Sequence, residues 1–110
     1  MQHLNSAEST FLNMIKAPCI EQGKKEGILP SVMAAIAISI SKWGTAPNFY
    51  TTRNVCMLPV LDDWYGKCYS VFTGKMYDSP KDADKYDSNL YRVYSDHQKS
   101  VKDFGKEEQR

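Results

Sequence analysis

A chain of 110 residues is long enough for one domain with a modest core, and its 42% hydrophobic and 25% charged residues are typical of an ordinary globular protein. The 14 basic and 13 acidic side chains nearly cancel, which removes the electrostatic case for nucleic acid or an anionic membrane as a partner. The start of the chain lacks the basic segment and apolar core of a signal peptide. The most apolar stretch, residues 27–44, is too short for a membrane span.

A first helix is predicted to begin at Thr10, after a flexible lead-in formed by residues 1–9. Its apolar positions recur at helical spacing: Phe11, Leu12, Met14, Ile15, Cys19 and Ile20. Pro18 falls inside this pattern. Because a proline removes a backbone hydrogen bond, we expect the helix to kink or restart there.

A second helix is predicted from Pro30, which suits a first helical turn, to a stop at Gly44. The isoleucines at 36, 38 and 40 alternate with small residues, which is also a strand pattern, but the alanine content and the length favour a helix. About a dozen residues of this stretch carry almost no charge, so we expect the helix to be buried on nearly all sides.

The rest of the chain is predicted to form a loop, a small β-lobe and a final polar helix. Aromatic and β-branched residues predict a strand over residues 68–73 and 75–77 and a second strand at residues 89–94, joined by a long polar loop as an antiparallel pair. A polar helix follows at residues 95–104, and residues 105–110 are expected to be a solvated tail. The fold class is therefore α+β.

Neither the cysteines nor the histidines form a recognisable site. Cys19, Cys56 and Cys68 have no metal-binding spacing, and we expect buried thiols, with a Cys56–Cys68 bridge across a hairpin as the alternative. His3 and His97 stand in polar surroundings and are expected to be exposed to solvent. No cofactor or metal is predicted.

Three groups of residues stand at spacings shared with one enzyme family. They are Phe11, Ile15, Pro18, Lys24 and Lys25; then residues 27–32, Ser41, Trp43 and Gly44; then Asp63, Trp64, Gly66, Lys67, Thr73, Asp78, Arg92, Val93, Tyr94, Ser95, Ser100 and Asp103. On these residues the chain resembles the bacterial endo-β-N-acetylglucosaminidase family, which includes domains of flagellar rod-cap peptidoglycan hydrolases and autolysins. The resemblance implies a lysozyme-like fold in which helices pack around a small antiparallel β-lobe. It covers nearly all of this chain and the front part of the family's domain, so residues 1–110 are interpreted as a single truncated domain.

The resemblance fails at the positions that carry the family's chemistry. The catalytic Glu of the family directly precedes the serine that matches Ser41, and Ile40 stands there; a second acidic position is occupied by Lys75. Met57 replaces a glycine of the cleft loop. Cleavage of a glycosidic bond needs a carboxylic acid to protonate the leaving oxygen, which neither isoleucine nor lysine provides.

What the resemblance still implies is contact with a sugar, and peptidoglycan or a related glycan is the ligand class. Trp43, Tyr50, Asn54 and Tyr77 are the candidate binding residues, since aromatic rings stack on sugar faces and an amide donates hydrogen bonds. Trp64, Tyr69 and Arg92 are further candidates. The alternative for Trp43 and Trp64 is that they complete the core.

Three functions remain open from the sequence. The first is an inactive, glycan-binding or scaffolding domain, and the second is a protein-binding module that regulates an active relative through the altered cleft. The third is an active hydrolase whose acid has moved to one of the β-lobe aspartates: Asp62, Asp63, Asp78, Asp82, Asp84 or Asp87. The family resemblance implies a bacterial cell-envelope location.

Overall fold

The computed structural model describes residues 4–107 and has helices at both ends of the chain with a small sheet between them. In chain order the elements are α1 (Ser6–Glu26), α2 (Pro30–Ser41), α3 (Phe49–Thr52), β1 (Cys68–Ser70), β2 (Met76–Tyr77), β3 (Leu90–Arg92) and α4 (His97–Glu107), with a 3-10 turn at Pro80–Asp82. The strands form an antiparallel sheet in the order β2-β1-β3. The predicted α+β class is confirmed.

Helix α1 begins earlier than the sequence pattern predicts. Asn5 caps it: the Glu8 backbone N–H donates to Asn5 Oδ1 at 2.8 Å, and the Asn5 N–H donates to Glu8 Oε1 at 3.0 Å. This reciprocal pair satisfies two exposed helix donors, so residues 6–9 are helical and the predicted lead-in to residue 9 is too long. Residues 1–3, with His3, lie outside the described part. The helix continues through Pro18, so no restart occurs there.

Helix α2 is not buried on nearly all sides, which corrects the prediction from its low charge. Met33, Ala37 and Ser41 are its buried residues, whereas Leu29 is 68% exposed and Ile40 is 37% exposed. The helix packs mainly on α1, and one packed partner covers one face of a helix. Its opposite face therefore presents apolar side chains to solvent.

The β-lobe has the predicted antiparallel pairing with shorter strands. Cys68 pairs with Tyr77 of β2 on one side and with Arg92 of β3 on the other. β1 ends at Ser70 because the chain turns there: the Gly74 N–H donates to the Ser70 carbonyl at 2.9 Å, and the Thr73 N–H donates to Ser70 Oγ at 3.0 Å. The three cysteines are buried thiols, as predicted.

Helix α4 closes the core against α1 and extends into the predicted solvated tail. Gly105 is buried, and a Cβ added there would lie 2.6 Å from Gln22 Cγ and 3.1 Å from Met33 Cε. The absence of a side chain thus lets α4 approach α1 and α2 closely. Residues 105–107 are helical, and the prediction of a solvated tail is wrong for the buried Gly105; residues 108–110 lie outside the described part. None of the helices within residues 4–107 has the length and apolar character of a membrane span.

Arg92, at the end of β3, joins the β-lobe to α4 and to the preceding loop. Its buried guanidinium donates from Nε to the Pro59 carbonyl at 2.9 Å and from Nη2 to Glu107 Oε1 at 3.3 Å, and Nη1 lies 3.8 Å from Asp103 Oδ2. The Arg92 Cζ atom lies 5.2 Å from the centre of the Trp64 ring. A planar group with several donors is suited to hold such different partners at once.

Replacing Arg92 with glutamine is expected to destabilise the fold by about 3 kcal/mol, because Asp103 and Glu107 then lose a buried counter-charge. The matched control is Lys102→Gln, which breaks the exposed pair with Glu21 and should cost about 0.5 kcal/mol or less. Urea unfolding of both variants measures the contrast. Equal losses in the two variants would contradict the structural role of Arg92.

Candidate functional site

The chain after α2 forms a tight turn that presents Trp43. Lys42, Trp43 and Gly44 all have left-handed backbone angles, with φ of 51°, 59° and 81°. The turn is held by Ser41: the Ala46 N–H donates to the Ser41 carbonyl at 2.9 Å, and the Gly44 N–H donates to the Ser41 carbonyl at 3.0 Å and lies 3.2 Å from Ser41 Oγ. Three successive left-handed residues reverse the chain direction at the end of the helix.

Gly44 is required at this turn for space as well as for its backbone angle. A Cβ added there would lie 3.1 Å from Phe11 Cδ2 and 3.3 Å from Phe49 Cε2. Phe11 in turn meets the Trp43 ring edge-on at a centroid distance of 6.0 Å. The glycine therefore allows the aromatic rings of α1 and α3 to close around the turn.

An open groove of about 630 Å³ lies between the first half of α1 and this turn. Its lining is Ser6, Ala7, Thr10, Phe11 and Met14 from α1, and Trp43, Gly44, Thr45, Ala46, Phe49 and Tyr50 from the following segment. Tyr50 is 74% exposed, whereas Trp43 is half-buried and contributes to both the core and the groove. Two of the predicted glycan-binding residues, Trp43 and Tyr50, are thus brought together.

The other two predicted binding residues lie elsewhere. Asn54 is buried, and both N–H groups of its amide are used: Nδ2 donates to the Leu58 carbonyl at 2.8 Å and to the Arg92 carbonyl at 3.0 Å. Its Oδ1 accepts from the Leu58 N–H at 2.9 Å. This geometry gives Asn54 a role in holding the loop to the β-lobe and leaves no free donor for a sugar. Tyr77 lies in β2, with its hydroxyl 3.3 Å from Thr73 Oγ1, and does not line the groove.

Ile40 and Lys75 occupy exposed positions on different elements. Ile40 is one residue from the end of α2, and Lys75 lies in the turn between β1 and β2, where its carbonyl accepts from the Ser70 N–H at 3.0 Å. Neither side chain offers a carboxyl group. Neither residue belongs to the buried core cluster: Lys75 is exposed, and Ile40 is 37% exposed.

The aspartates of the β-lobe serve mainly in turns. Asp84 Oδ1 accepts from the Tyr86 N–H at 2.9 Å, and Asp87 Oδ1 accepts from the Asn89 N–H at 2.8 Å. Asp87 also accepts a hydrogen bond from the buried Ser70 hydroxyl. These bonds are the local turn contacts that short acidic side chains favour. Asp62 and Asp87 additionally line a cavity of the β-lobe.

The described residues bring together no group of three or more histidine, cysteine or acidic side chains that could hold a metal ion. Cys19 is also a poor nucleophile, because burial raises the pKa of its thiol to about 11. For Cys68, burial raises the thiol pKa, and the nearby Asp82 and Asp87 raise it further.

The environment of His97 differs from the exposed position that the sequence predicts. Its ring stacks on Phe49 with a centroid distance of 4.4 Å and meets Tyr50 edge-on at 5.6 Å. Nε2 is buried without a hydrogen-bond partner among the described residues. The prediction of an exposed histidine is therefore wrong, because α4 packs this side chain against α3. No sequence signal distinguishes it, since its immediate neighbours are polar.

The His97 environment disfavours the charged ring. Burial lowers the pKa of His97; a backbone contact with Phe49 raises it, the positive charge of Arg53 lowers it, and Asp96 raises it, with a net shift downward. The neutral form is therefore the one that packs beside Tyr50, and His97 belongs to the aromatic cluster that supports the groove.

The similarity of this chain to known proteins is found among solved structures. No family model and no curated protein matches the chain. Among solved structures, the glycoside hydrolase domain of FlgJ from Salmonella typhimurium matches 94% of this chain with a TM-score of 0.68 and 20% identity, and the match covers 61% of that domain. The catalytic domain of the autolysin Auto from Listeria monocytogenes matches 97% of this chain with a TM-score of 0.63 and 21% identity, over 59% of its own length.

A C-terminally truncated form of the FlgJ glycoside hydrolase domain matches as well, over 90% of this chain and 66% of its own length, with a TM-score of 0.62 and 19% identity. The chain thus has the α+β, lysozyme-like fold of these glycoside hydrolase domains. It spans about three fifths to two thirds of their length.

The half-buried His97 predicts a pH-dependent stability. The pKa of His97 in the folded state lies below its unfolded value of about 6.5, so the unfolded chain binds more protons as the pH falls below that value. The free energy of unfolding should therefore decrease from about pH 7 toward the lowered folded pKa. His97→Phe, which keeps an aromatic ring at Phe49, should lose this dependence.

Chemical unfolding at several pH values measures the difference between the two proteins. His3 and the carboxylates are common to both, so their titration cancels in that difference. Parallel loss of stability in the parent and in His97→Phe would contradict the assignment.

Proposed function

We propose that this chain is a non-hydrolytic domain of the glucosaminidase type that binds peptidoglycan or a related glycan. The observation that carries the proposal is Ile40, an apolar side chain at the end of α2 where the resembling family has its catalytic acid. Lys75 reverses the charge at the second acidic position. The fold shared with an autolysin catalytic domain and with FlgJ glycoside hydrolase domains supports the ligand class.

The chemistry of hydrolysis explains why these two positions matter. A general acid must hold a proton near neutral pH and deliver it to the leaving oxygen, and a second carboxylate or the acetamido group of the substrate must support the cationic centre. General acid catalysis typically contributes a factor of about 10² to 10⁴, so the loss of the acid leaves little turnover. Binding does not depend on this proton transfer.

The groove supplies what a glycan-binding surface needs. Tyr50 is exposed, Trp43 lines the same groove, and the lining combines these rings with hydroxyl and small apolar side chains. Amphipathic rings of this kind bury the apolar face of a sugar while leaving its hydroxyl groups hydrated. Tyr50 is held in place by its edge contacts with Phe49 and His97, which lowers the entropy lost on binding.

A protein-binding role is the second candidate, and one observation favours it. The face of α2 that includes Leu29, Val32 and Ile40 is apolar and exposed, as is common for surfaces that contact another protein. In this alternative the altered cleft region would regulate an active relative. A hydrolase with a relocated acid is the third, for which Asp62, Asp84 and Asp87 are the candidates because each lines a cavity of the β-lobe.

Release of muropeptides from purified peptidoglycan tests the loss of catalysis. The parent protein is compared with Ile40→Glu and with the double variant Ile40→Glu, Lys75→Glu. We expect no product from the parent and measurable product from the double variant, since a carboxyl group then stands at both positions. Product from the parent would contradict the proposal and favour the relocated acid; Asp62→Asn, Asp84→Asn and Asp87→Asn would then identify it.

Cosedimentation with purified peptidoglycan tests binding independently of turnover. Tyr50→Ala removes an exposed ring of the groove and should weaken binding by about fivefold, the loss expected for one stacked aromatic contact. Phe72→Ala is the matched control, because Phe72 is similarly exposed but lies outside the groove. Absence of binding by the parent itself would reject the glycan proposal and leave the protein-binding alternative.

A further inference from the structure

The β-lobe contains a second concave site that the proposed function does not use. A cavity of about 530 Å³ lies between residues 60–65 and residues 79–90, within the size range of small-molecule sites. None of its lining residues belongs to the groove at Trp43 and Tyr50. Two neighbouring aromatic residues, Trp64 and Tyr65, contribute to the lining.

The walls of this cavity are held by hydrogen bonds of the fold. The Val60 N–H donates to the Leu90 carbonyl at 3.0 Å, which fixes one segment to the other. Trp64 Nε1 donates to the Lys67 carbonyl at 2.9 Å, and its ring packs on Tyr94 at a centroid distance of 5.3 Å. Asp87 is fixed through both carboxylate oxygens. The site is therefore largely preformed, which favours ligand binding.

The chemistry of the lining indicates an uncharged, amphiphilic ligand. Val60, Pro80 and Leu90 are apolar, and Tyr65 is 76% exposed, so a ring face is open to a ligand. The charged members are Asp62, Asp87 and Lys81, whose mixed signs disfavour a strongly anionic or cationic partner. Hydroxyl groups of Ser79 and Ser88 complete the polar part.

We propose that this cavity is a second saccharide site, which takes an N-acetylated sugar unit. The acetamido methyl group packs on the apolar lining at Val60 and Leu90, Tyr65 stacks on the sugar ring, and Asp62 accepts hydrogen bonds from sugar hydroxyls. The ligand class rests on the proposed function, whereas the site is separate from the groove.

The test is a titration of isotopically labelled protein with the trisaccharide of N-acetylglucosamine, followed by amide NMR. We expect saturable shifts at Val60, Tyr65 and Leu90, in addition to those at Trp43 and Tyr50. Tyr65→Ala should weaken the first set by about fivefold and leave the second unchanged. Tyr86→Ala, which removes an equally exposed ring outside the cavity, should change neither set.

The outcomes separate the two proposals. Shifts confined to Trp43 and Tyr50 overturn the second site and leave the proposed function in place, whereas shifts confined to the cavity support the second site and reject the groove. Equal affinity of the cavity for maltotriose, which lacks acetamido groups, overturns the assignment of an N-acetylated ligand. Absence of shifts at both places rejects both proposals.

Discussion

The fold depends on one buried cation. Arg92 reaches the loop at Pro59, the helix α4 at Asp103 and Glu107, and the ring of Trp64 from a single position in β3. A three-stranded sheet with strands of two or three residues has little stability of its own, so its attachment to the helices has to come from such contacts. The backbone at Arg92 adds to this, because its carbonyl accepts from Asn54 and its N–H donates to the Leu58 carbonyl.

The same arrangement explains why the groove has a defined shape. Asn54 and Arg92 fix the loop that follows α3, and the Tyr94 N–H donates to the carbonyl of Thr52, the last residue of α3, at 2.8 Å. With α3 held to the β-lobe, Phe49 is held against Phe11, and the turn at Gly44 closes between them. The position of Tyr50, a residue of α3, therefore depends on the contacts that hold α3 to the β-lobe.

The sequence predicted the helices and strands that hydrophobic periodicity and turn-forming residues specify. The amphipathic pattern of α1, the proline and glycine around α2 and the aromatic strands of the β-lobe all express local preferences, and these elements form close to the expected places. It did not predict burial that depends on distant packing: His97 becomes half-buried because α4 lies on α3, and Asn54 becomes structural because β3 approaches it. The β-lobe cavity has the same cause, since its two walls are separated in sequence and are brought together where Val60 pairs with Leu90 and Pro59 with Tyr91.

The residues that match the family and the residues that depart from it differ in their physical role. Gly44, Arg92 and Tyr94 match, and each is buried among specific partners, so a change at these positions would affect folding. Ile40 and Lys75 depart, and both lie at exposed positions outside the buried core cluster. Met57 supports the same distinction: the family has glycine at this position, and Met57 keeps a left-handed backbone with φ of 52°, at a cost of about 1–2 kcal/mol. The positions that match the resembling family are thus ones that support the structure of this chain, whereas the positions that differ are exposed. A resemblance carried by structural residues is therefore a strong guide to the fold of this chain and a weak guide to its activity.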